Sequence, residues 1–497
     1  MQLLPETLYT AAQARALDRL AAERCGLSSE VLMQRAGQAA FDLLRWYWPR
    51  ARTIAVACGP GNNGGDGYVL AQFAHAAGLA ARVYALGDPR KLHGAALTAR
   101  QHCEVSGVRI APLAPEQLRD CDVLVDAVFG TGMERELTGE WRAAIEAINT
   151  AGRPVLALDL PSGLHADSGR VLGGAVRARV TLTFIALKAG LFTGAGRDHC
   201  GEIFYDALGV PPELFGTTPP VARRITPAAL QGALPRRARH AHKNDAGRVL
   251  IVGGQPGMGG AARLAGEAAY RVGAGLVVLA THPQHAGGIN AGCPELLSYG
   301  SADAMALRPL LTGATVIAVG PGLGQGEWGR ALWGAVLDTS APLVVDADAL
   351  NLLAADPIQR ANWILTPHPG EAARLLQCTS AEVQADRFHA VRAITARFGG
   401  ACVLKGSGSL IAHVDDAPWL CDRGHPGMAS GGMGDVLTGA IAGLLAQGAS
   451  APAAARLGVW AHASAADAIA ARRGELGLLA SEVCAELPVW INRVANQ

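Results

Sequence analysis

The string Cys58–Gly67 (CGPGNNGGDG) holds five glycines, two asparagines and an aspartate in ten residues. Backbone stripped of side chains leaves N–H groups free to meet a phosphate, and Asn62, Asn63 and Asp66 add side-chain oxygens and amides. The string is neither G-x-G-x-x-G nor a phosphate loop ending in Gly-Lys-Ser/Thr. A tight strand-to-helix turn alone would need fewer polar groups. Two further apolar runs end in carboxylates: Leu124-Val-Asp126, followed by Gly130, and Ala157-Leu-Asp159, followed by Ser162-Gly163. In open α/β sheets ligands bind beyond the carboxyl ends of strands, so Asn63, Asp126, Asp159 and Ser162 can converge there. Oxygen ligands of this kind suit a hard cation. A lone Asp at such a place also caps a following loop, and that reading stays open for each of them.

The second half carries a different set. Gly427–Asp435 (GMASGGMGD) leads into the charge-free run from Val436. A glycine turn feeding a helix N-terminus makes an anion hole from backbone N–H groups, and Asp435 beside it can take a proton from a hydroxyl. Lys405-Gly-Ser-Gly-Ser409 between two apolar runs offers an ammonium and bare amides to a nucleotide phosphate. Thr366-Pro-His368-Pro-Gly-Glu371 puts a histidine between two prolines; a satisfied core histidine is its alternative. Gly320-Pro-Gly322-Leu-Gly324, Asp346-Ala-Asp348 and Gly259-Gly-Ala261 follow other apolar runs in the same way.

Positioning these residues takes alternating strands and helices. Thr53–Cys58, Arg82–Leu86, Asp122–Val128, Pro154–Leu160 and Val180–Ala186 read as buried strands, with helices over Ala11–Arg24, from Ser28 or Ser29 to Leu44, Tyr68–Ala77 and Glu140–Asn149 between or before them. The region from Pro211 to Asp245, with two Pro-Pro pairs and a basic run, reads as a linker. A second set follows: Val249–Gly253, Leu276–Ala280, Val316–Gly320, Leu343–Asp346, Trp363–Leu365, Cys402–Leu404 and Ser409–His413. The expectation is two α/β domains with parallel sheets, over 1–215 and 225–497.

Composition narrows the class. With 497 residues, half of them hydrophobic, the chain can bury sizeable cores. Its 43 basic and 42 acidic residues give no electrostatic footprint for nucleic acid or an anionic membrane. The ten cysteines form no C-x-x-C pair and read as buried free thiols. Val436–Ala455 lacks charge but is broken by glycines, Ser450 and Pro452, so a core helix is expected rather than a membrane span. No leader peptide is read at the N-terminus, and a cytoplasmic protein is expected.

Over about the first 210 residues, Gly59–Gly67, Val125–Gly132 and Asp159–Gly163 resemble the NAD(P)H-hydrate epimerase domain. The resemblance implies a Rossmann-like three-layer α/β/α sandwich. It implies substrate contacts from Asn62, Asn63, Gly64, Gly65 and Asp66, from Gly130, Thr131, Gly132, Met133, Glu134, Arg135 and Glu136, and from Asp159, which would be catalytic. It also implies K⁺ at Asn63, Asp126 and Ser162. Lys188, in the similar run Phe184–Gly190, is given no role.

Residues 225–497 resemble ADP-dependent NAD(P)H-hydrate dehydratase, with a ribokinase-like fold. By that resemblance Lys405, Gly406, Ser407, Gly408, Ser409 and Gly434 bind the adenine nucleotide. Ala261, Gly322, His368 and Asp435 contact the hydrate, with Asp435 catalytic. Mg²⁺ is implied in this domain, with Glu371 a candidate for holding it through water. Both halves together look like the bifunctional repair enzymes for hydrated NADH and NADPH, acting on small molecules as a homo-oligomer, with no nucleic acid or membrane partner. A vitamin-precursor kinase accounts for Asp435 but not for Asn62–Asp66, and a non-catalytic scaffold does not need Asn63, Asp126 and Asp159 intact.

Overall fold

The computed structural model describes residues 3–414 and 416–495. The chain divides into two compact units, Met1–Arg223 and Arg224–Gln497.

In the first unit β1 (Thr7–Tyr9), α1 (Ala11–Cys25) and α2 (Ser29–Tyr47) precede the main sheet. Thr10 starts α1 with a reciprocal cap to Gln13, and Ser28 caps α2. Then come β2 (Thr53–Cys58), α3 (Asn62–Ala76), β3 (Ala80–Ala85), α4 (Gly94–Val105), β4 (Arg109–Pro112), β5 (Val123–Ala127), α5 (Gly139–Thr150), β6 (Val155–Leu158) and β7 (Val180–Phe184). Next come β8 (Leu187–Lys188), α6 (Gly196–His199), β9 (Glu202–Asp206) and α7 (Pro212–Phe215), and the unit ends within β10 (Ala222–Arg224). Seven strands pair all-parallel in the order β4-β3-β2-β5-β6-β7-β9, while β1 lies between β8 and β10.

Alternate residues of β2 point to opposite faces. Ile54, Val56 and Cys58 join a core with α1–α4, and Ala55 and Ala57 join one with α5. These are the three expected layers. The strand order reverses between β2 and β5, the switch point at which a crevice opens beyond the strand ends.

The second unit runs β11 (Arg248–Val252), α8 (Gly259–Arg271), β12 (Leu276–Thr281), α9 (Pro283–Ala286), β13 (Leu297–Gly300), α10 (Ala304–Leu311), β14 (Val316–Val319) and α11 (Glu327–Leu337). It continues with β15 (Leu343–Val345), α12 (Ala347–Ala355), β16 (Trp363–Leu365), α13 (Pro369–Leu376), α14 (Ser380–Ala385), α15 (Arg387–Phe398), β17 (Ala401–Leu404), β18 (Ser409–His413) and β19 (Trp419–Cys421). The helices α16 (Met433–Ala446), α17 (Ala451–Arg473) and α18 (Ala480–Ala495) end it. The strands run β13-β12-β11-β14-β15-β16-β17 in parallel, then turn back as antiparallel β18 and β19.

The charge-free run comprises the buried helix α16, a turn over 447–450 and the start of α17. A side chain at Gly439 of α16 would strike the Ala265 carbonyl of α8, so the glycines let two helices approach closely. Among the described residues no helix is long and apolar enough to cross a membrane.

Three readings need correction. The helix expected from Tyr68 starts at Asn62, so most of the glycine string is its first two turns. The helix expected from Val436 starts at Met433, which places Asp435 inside its first turn. Cys25 is exposed, whereas seven of the ten free cysteines are buried. The short strands β4, β9, β13 and β19 went unread because their residues are partly exposed or few, leaving no continuous apolar run.

Candidate active sites

In the first unit a cavity of about 690 Å³ opens beyond the strand ends. Asn62, Asn63, Asp66, Gly130, Thr131, Gly132, Met133 and Asp159 line it, together with Lys188 and the α1 residues Arg15 and Asp18. Gly64, Gly65, Glu134, Arg135 and Glu136 do not line it. Gly64 is glycine for packing, since a β-carbon there would collide with the Gly59 carbonyl; at Gly65 it would meet Met33. Gly130 sits where a β-carbon would come 3.1 Å from Asp159 Oδ2 and 3.4 Å from Asn63 Cβ, so the three converge.

Asp159 follows β6 with φ +66°, a left-handed conformation that aspartate tolerates better than most side chains. Its carboxylate is ion-paired with the buried Lys188 ammonium. Lys188 also donates to Thr183 Oγ1 (3.1 Å) and the Phe184 carbonyl (2.9 Å). Burial pushes the Asp18 carboxyl up to about 6; Lys188 opposes the shift and Asp159 adds to it. Burial also drives Asp66 well above the carboxylate range, with Asp159 and Asp18 adding. Three carboxylates therefore share one buried ammonium. Asp18 and Lys188 were beyond motif reasoning: Asp18 lies on an ordinary amphipathic helix, and Lys188 gained its partner only through folding.

Behind the cavity, Asp126 is fully buried. Ser162 donates to it through Oγ (2.6 Å) and N (2.8 Å), and Val128 N donates at 3.2 Å. Burial still raises its pKa to about 6 against those hydrogen bonds. Asn63 is 8 % exposed, and neither its Oδ1 nor its Nδ2 has a hydrogen-bond partner among the described residues. Such an orphaned amide in a polar cleft suits a ligand or ion. Capping of loops explains two of Asp126's contacts but leaves Asn63 unexplained.

In the second unit the centre is Asp346, at the end of β15. Lys405 Nζ lies 2.7 Å from Asp346 Oδ1, and Thr438 Oγ1 donates to Oδ2 at 2.7 Å. Burial opposes both charges, yet the pair holds Asp346 below and Lys405 above their ordinary values. Glu371 Oε2 is 3.8 Å from Lys405 Nζ; burial raises this carboxyl to about 7, with Lys405 pulling it down. Gly434 faces this cluster, its would-be β-carbon 3.4 Å from Lys405 Nζ. Asp435, one residue on, is pushed up to about 7 by burial and by Asp346, against Lys405.

His368 caps α13 rather than filling a core. Its Nδ1 accepts from Gly370 N (3.0 Å) and Glu371 N (3.4 Å), while Glu371 accepts from His368 N (2.7 Å). Burial and Lys405 keep the imidazole pKa low. Gly322 (φ +58°) packs against Met258, with Ala261 3.4 Å from its would-be β-carbon. Gly254 N and Gln255 N donate to Pro321 O (3.0 Å) and Gly322 O (2.7 Å), stitching two strand-end loops together.

The segment 405–408 is the β17–β18 turn. The buried guanidinium of Arg387 supports it by donating to the carbonyls of Leu404, Lys405 and Gly408. Lys405 is thus engaged by carboxylates, its ammonium lying 2.7 Å from Asp346 Oδ1 and 3.8 Å from Glu371 Oε2. Arg387 was missed because it belongs to no motif: its partners include the carbonyls of the turn and, at 2.7 Å, Gln384 Oε1 one turn before it. Among the described residues no group of three or more His, Cys, Asp or Glu is arranged to hold a metal ion.

Comparison with known proteins agrees with this architecture. The family model described as NAD(P)H-hydrate dehydratase matches residues 249–489, and that of the YjeF-related protein N-terminus matches 29–190. A ribokinase-like superfamily protein from Enterococcus faecalis superposes with a TM-score of 0.52 at 28% identity, covering 56% of this chain and 98% of that structure. A bifunctional NAD(P)H-hydrate repair enzyme of Coxiella burnetii is 49% identical, covering 98% of this chain and 99% of the relative. The Escherichia coli enzyme of the same description is 42% identical, covering 98% and 95%. Fold and sites define a two-domain α/β enzyme whose second domain is ribokinase-like. The chain belongs to the family of bifunctional NAD(P)H-hydrate repair enzymes.

Proposed function

We propose that the first unit interconverts the R and S epimers of hydrated NADH and NADPH, and that the second dehydrates the S epimer at the expense of ADP. The observation that carries this reading is Asp435: a carboxylate in the first turn of α16, beside Gly434 and the Lys405–Asp346 pair, with its pKa moved to about 7. A base poised near neutrality suits removal of a hydroxyl proton. The hydroxyl oxygen then attacks the β-phosphorus of ADP, and AMP leaves. The phosphate ester breaks at its C–O bond as the ring nitrogen's lone pair moves in. Loss of a ring proton restores the dihydronicotinamide, and phosphate carries away the electron pair. Hydroxide leaves poorly, which is why a nucleotide is consumed.

In this reading Ala261, Gly322, His368 and Asp435 hold the hydrate, and the amides of 406–409 with Gly434 hold the nucleotide. Mg²⁺ would neutralise phosphate charge; Glu371 is the carboxylate available to it, so the phosphates would supply most of its ligands. Asp159 handles protons in the first unit, oriented by Lys188. The orphaned Asn63 oxygen, buried Asp126 and Ser162 fit K⁺, which would offset substrate phosphate charge. The protein would act as a homo-oligomer in the cytoplasm.

The test is purified protein with a mixture of R- and S-NADH-hydrate and ADP, following dihydronicotinamide absorbance and AMP. Full conversion of both epimers with one AMP per NADH is expected. Asp159→Ala should convert S-hydrate normally but consume the R epimer only at its spontaneous rate. Conversion without nucleotide, or equal R consumption by both proteins, refutes the assignment. Replacing ADP with ATP in the same assay decides the nucleotide preference.

A further inference from the structure

The α1 face toward the first cavity presents Ala14, Arg15, Asp18, Arg19 and Ala22, residues about one helical turn apart. Asp18 is the one carboxylate on it. Its side chain accepts no hydrogen bond from the described residues, although it sits within electrostatic reach of Lys188, Asp159, Arg19 and Arg15, and of Asp66 from α3. Asp159 lines the same cavity from the loop after β6, whereas Asp18 comes from α1, and Asp159 is already committed to Lys188. A helix-borne carboxylate that accepts no hydrogen bond from the described residues, lining a cavity that also holds the orphaned amide of Asn63, is available to a ligand.

Epimerisation at a hydroxyl-bearing ring carbon needs proton handling on two faces. The departing hydroxyl must gain a proton to leave as water. The water that returns to the opposite face must lose one. One carboxyl cannot reach both faces of a planar ring.

We propose that Asp18 is the second proton-transferring residue of the epimerase site, working from the α1 wall while Asp159 works from the strand ends. The inference rests on the epimerase reading of this cavity. Protonated Asp18 donates to the hydroxyl of one epimer; the C–O bond breaks, water leaves, and the ring nitrogen's lone pair forms the C=N bond. Water adds from the other face, its proton passes to Asp159, and the C=N pair returns to nitrogen. One proton has moved from Asp18 to Asp159, and the reverse reaction moves it back. Between turnovers the pair exchanges protons with solvent. Asp18 is held in a range where it can carry a proton at near-neutral pH, since burial and Asp159 raise its pKa to about 6 against Lys188, Arg19 and Arg15.

The test compares wild type, Asp18→Asn and Asp18→Glu as full-length proteins, with R-hydrate consumption measured from pH 5 to 8.5. Dehydration of pure S-hydrate by the second unit reports that the chain is intact. Wild-type kcat/KM for epimerisation should fall as pH rises above about 6, as the donor proton is lost. Asp18→Asn should lose 10²- to 10⁴-fold and its residual rate should lack that limb, while Asp18→Glu should recover part of the rate and the limb. A variant Asp18→Asn that keeps the limb near 6, whatever its rate, assigns the proton to another group and overturns the proposal. So does an Asn variant within threefold of wild type. If wild type itself fails to accelerate R consumption, the epimerase reading fails instead, and the two failures are distinguishable.

Discussion

Lys405 and Asp346, 59 residues apart in sequence, form a 2.7 Å ion pair whose other carboxylate oxygen is held by Thr438. The pair joins the β17–β18 turn, the end of β15 and the first turns of α16, and so holds Asp435 and Gly434 in place. Its geometry explains why a lysine that looks like a phosphate ligand is structural first. It neutralises a carboxylate that would otherwise sit uncompensated below the candidate nucleotide site.

Replacing Lys405 by Met should therefore do more than weaken nucleotide binding. Breaking one side of a buried pair leaves a lone charge and costs about 3–5 kcal/mol. Thermal unfolding of the full chain should show the loss, while R-to-S epimerisation, the reporter of the first unit, stays at the wild-type rate. Asp346→Asn with Lys405→Met should be less destabilised than the two single changes summed. An unchanged melting curve for Lys405→Met would remove this role.

Asp435→Asn should lower dehydration by about 10²–10⁴-fold and leave epimerisation intact. The sign of the pH dependence follows from the raised pKa. Asp435 is protonated and inactive below about 7, so wild-type dehydration should climb roughly tenfold per unit up to that pH and then level off. Steady-state rates from pH 5 to 9 check this; a flat profile through pH 7 contradicts the base role.

Two glycines from the candidate epimerase set should separate by mechanism. Gly64→Ala forces a methyl group into the Gly59 backbone and should destabilise the protein by about 1–3 kcal/mol, as overpacking does, despite alanine's better helix propensity. Gly132→Ala meets nothing within 4 Å and should melt like wild type. Denaturant midpoints for the two variants decide it.

The cation assignment gives a crystallographic expectation. Crystals soaked in Rb⁺ or Tl⁺ should show anomalous density beside Asn63, Asp126 and Ser162. Asp126→Asn should abolish the peak and raise KM for the R epimer. No peak in a crystal with an ordered 62–66 segment would leave Asp126 as a buried cap for Val128 and Ser162.

Much of this protein was legible locally. Strands such as Thr53–Cys58, Trp363–Leu365 and Ser409–His413 coincide with apolar runs because both faces of a parallel or covered sheet demand apolar side chains. Asp159 and Asp435 drew attention because strand ends and helix starts are where an α/β fold presents polar groups to a ligand, whereas Asp126, drawn from the same pattern, lies fully buried. What folding alone decided are the partners. Whether Gly64 serves packing or phosphate depends on a carbonyl five residues back; whether Lys405 is free depends on Asp346. Asp18 and Arg387 carry no motif at all, since one acquires its meaning from a cavity wall and the other from three backbone carbonyls. Local pattern specifies which face of each element is buried. Charge states and close approaches are set by distances between elements, which exist only once the chain has folded.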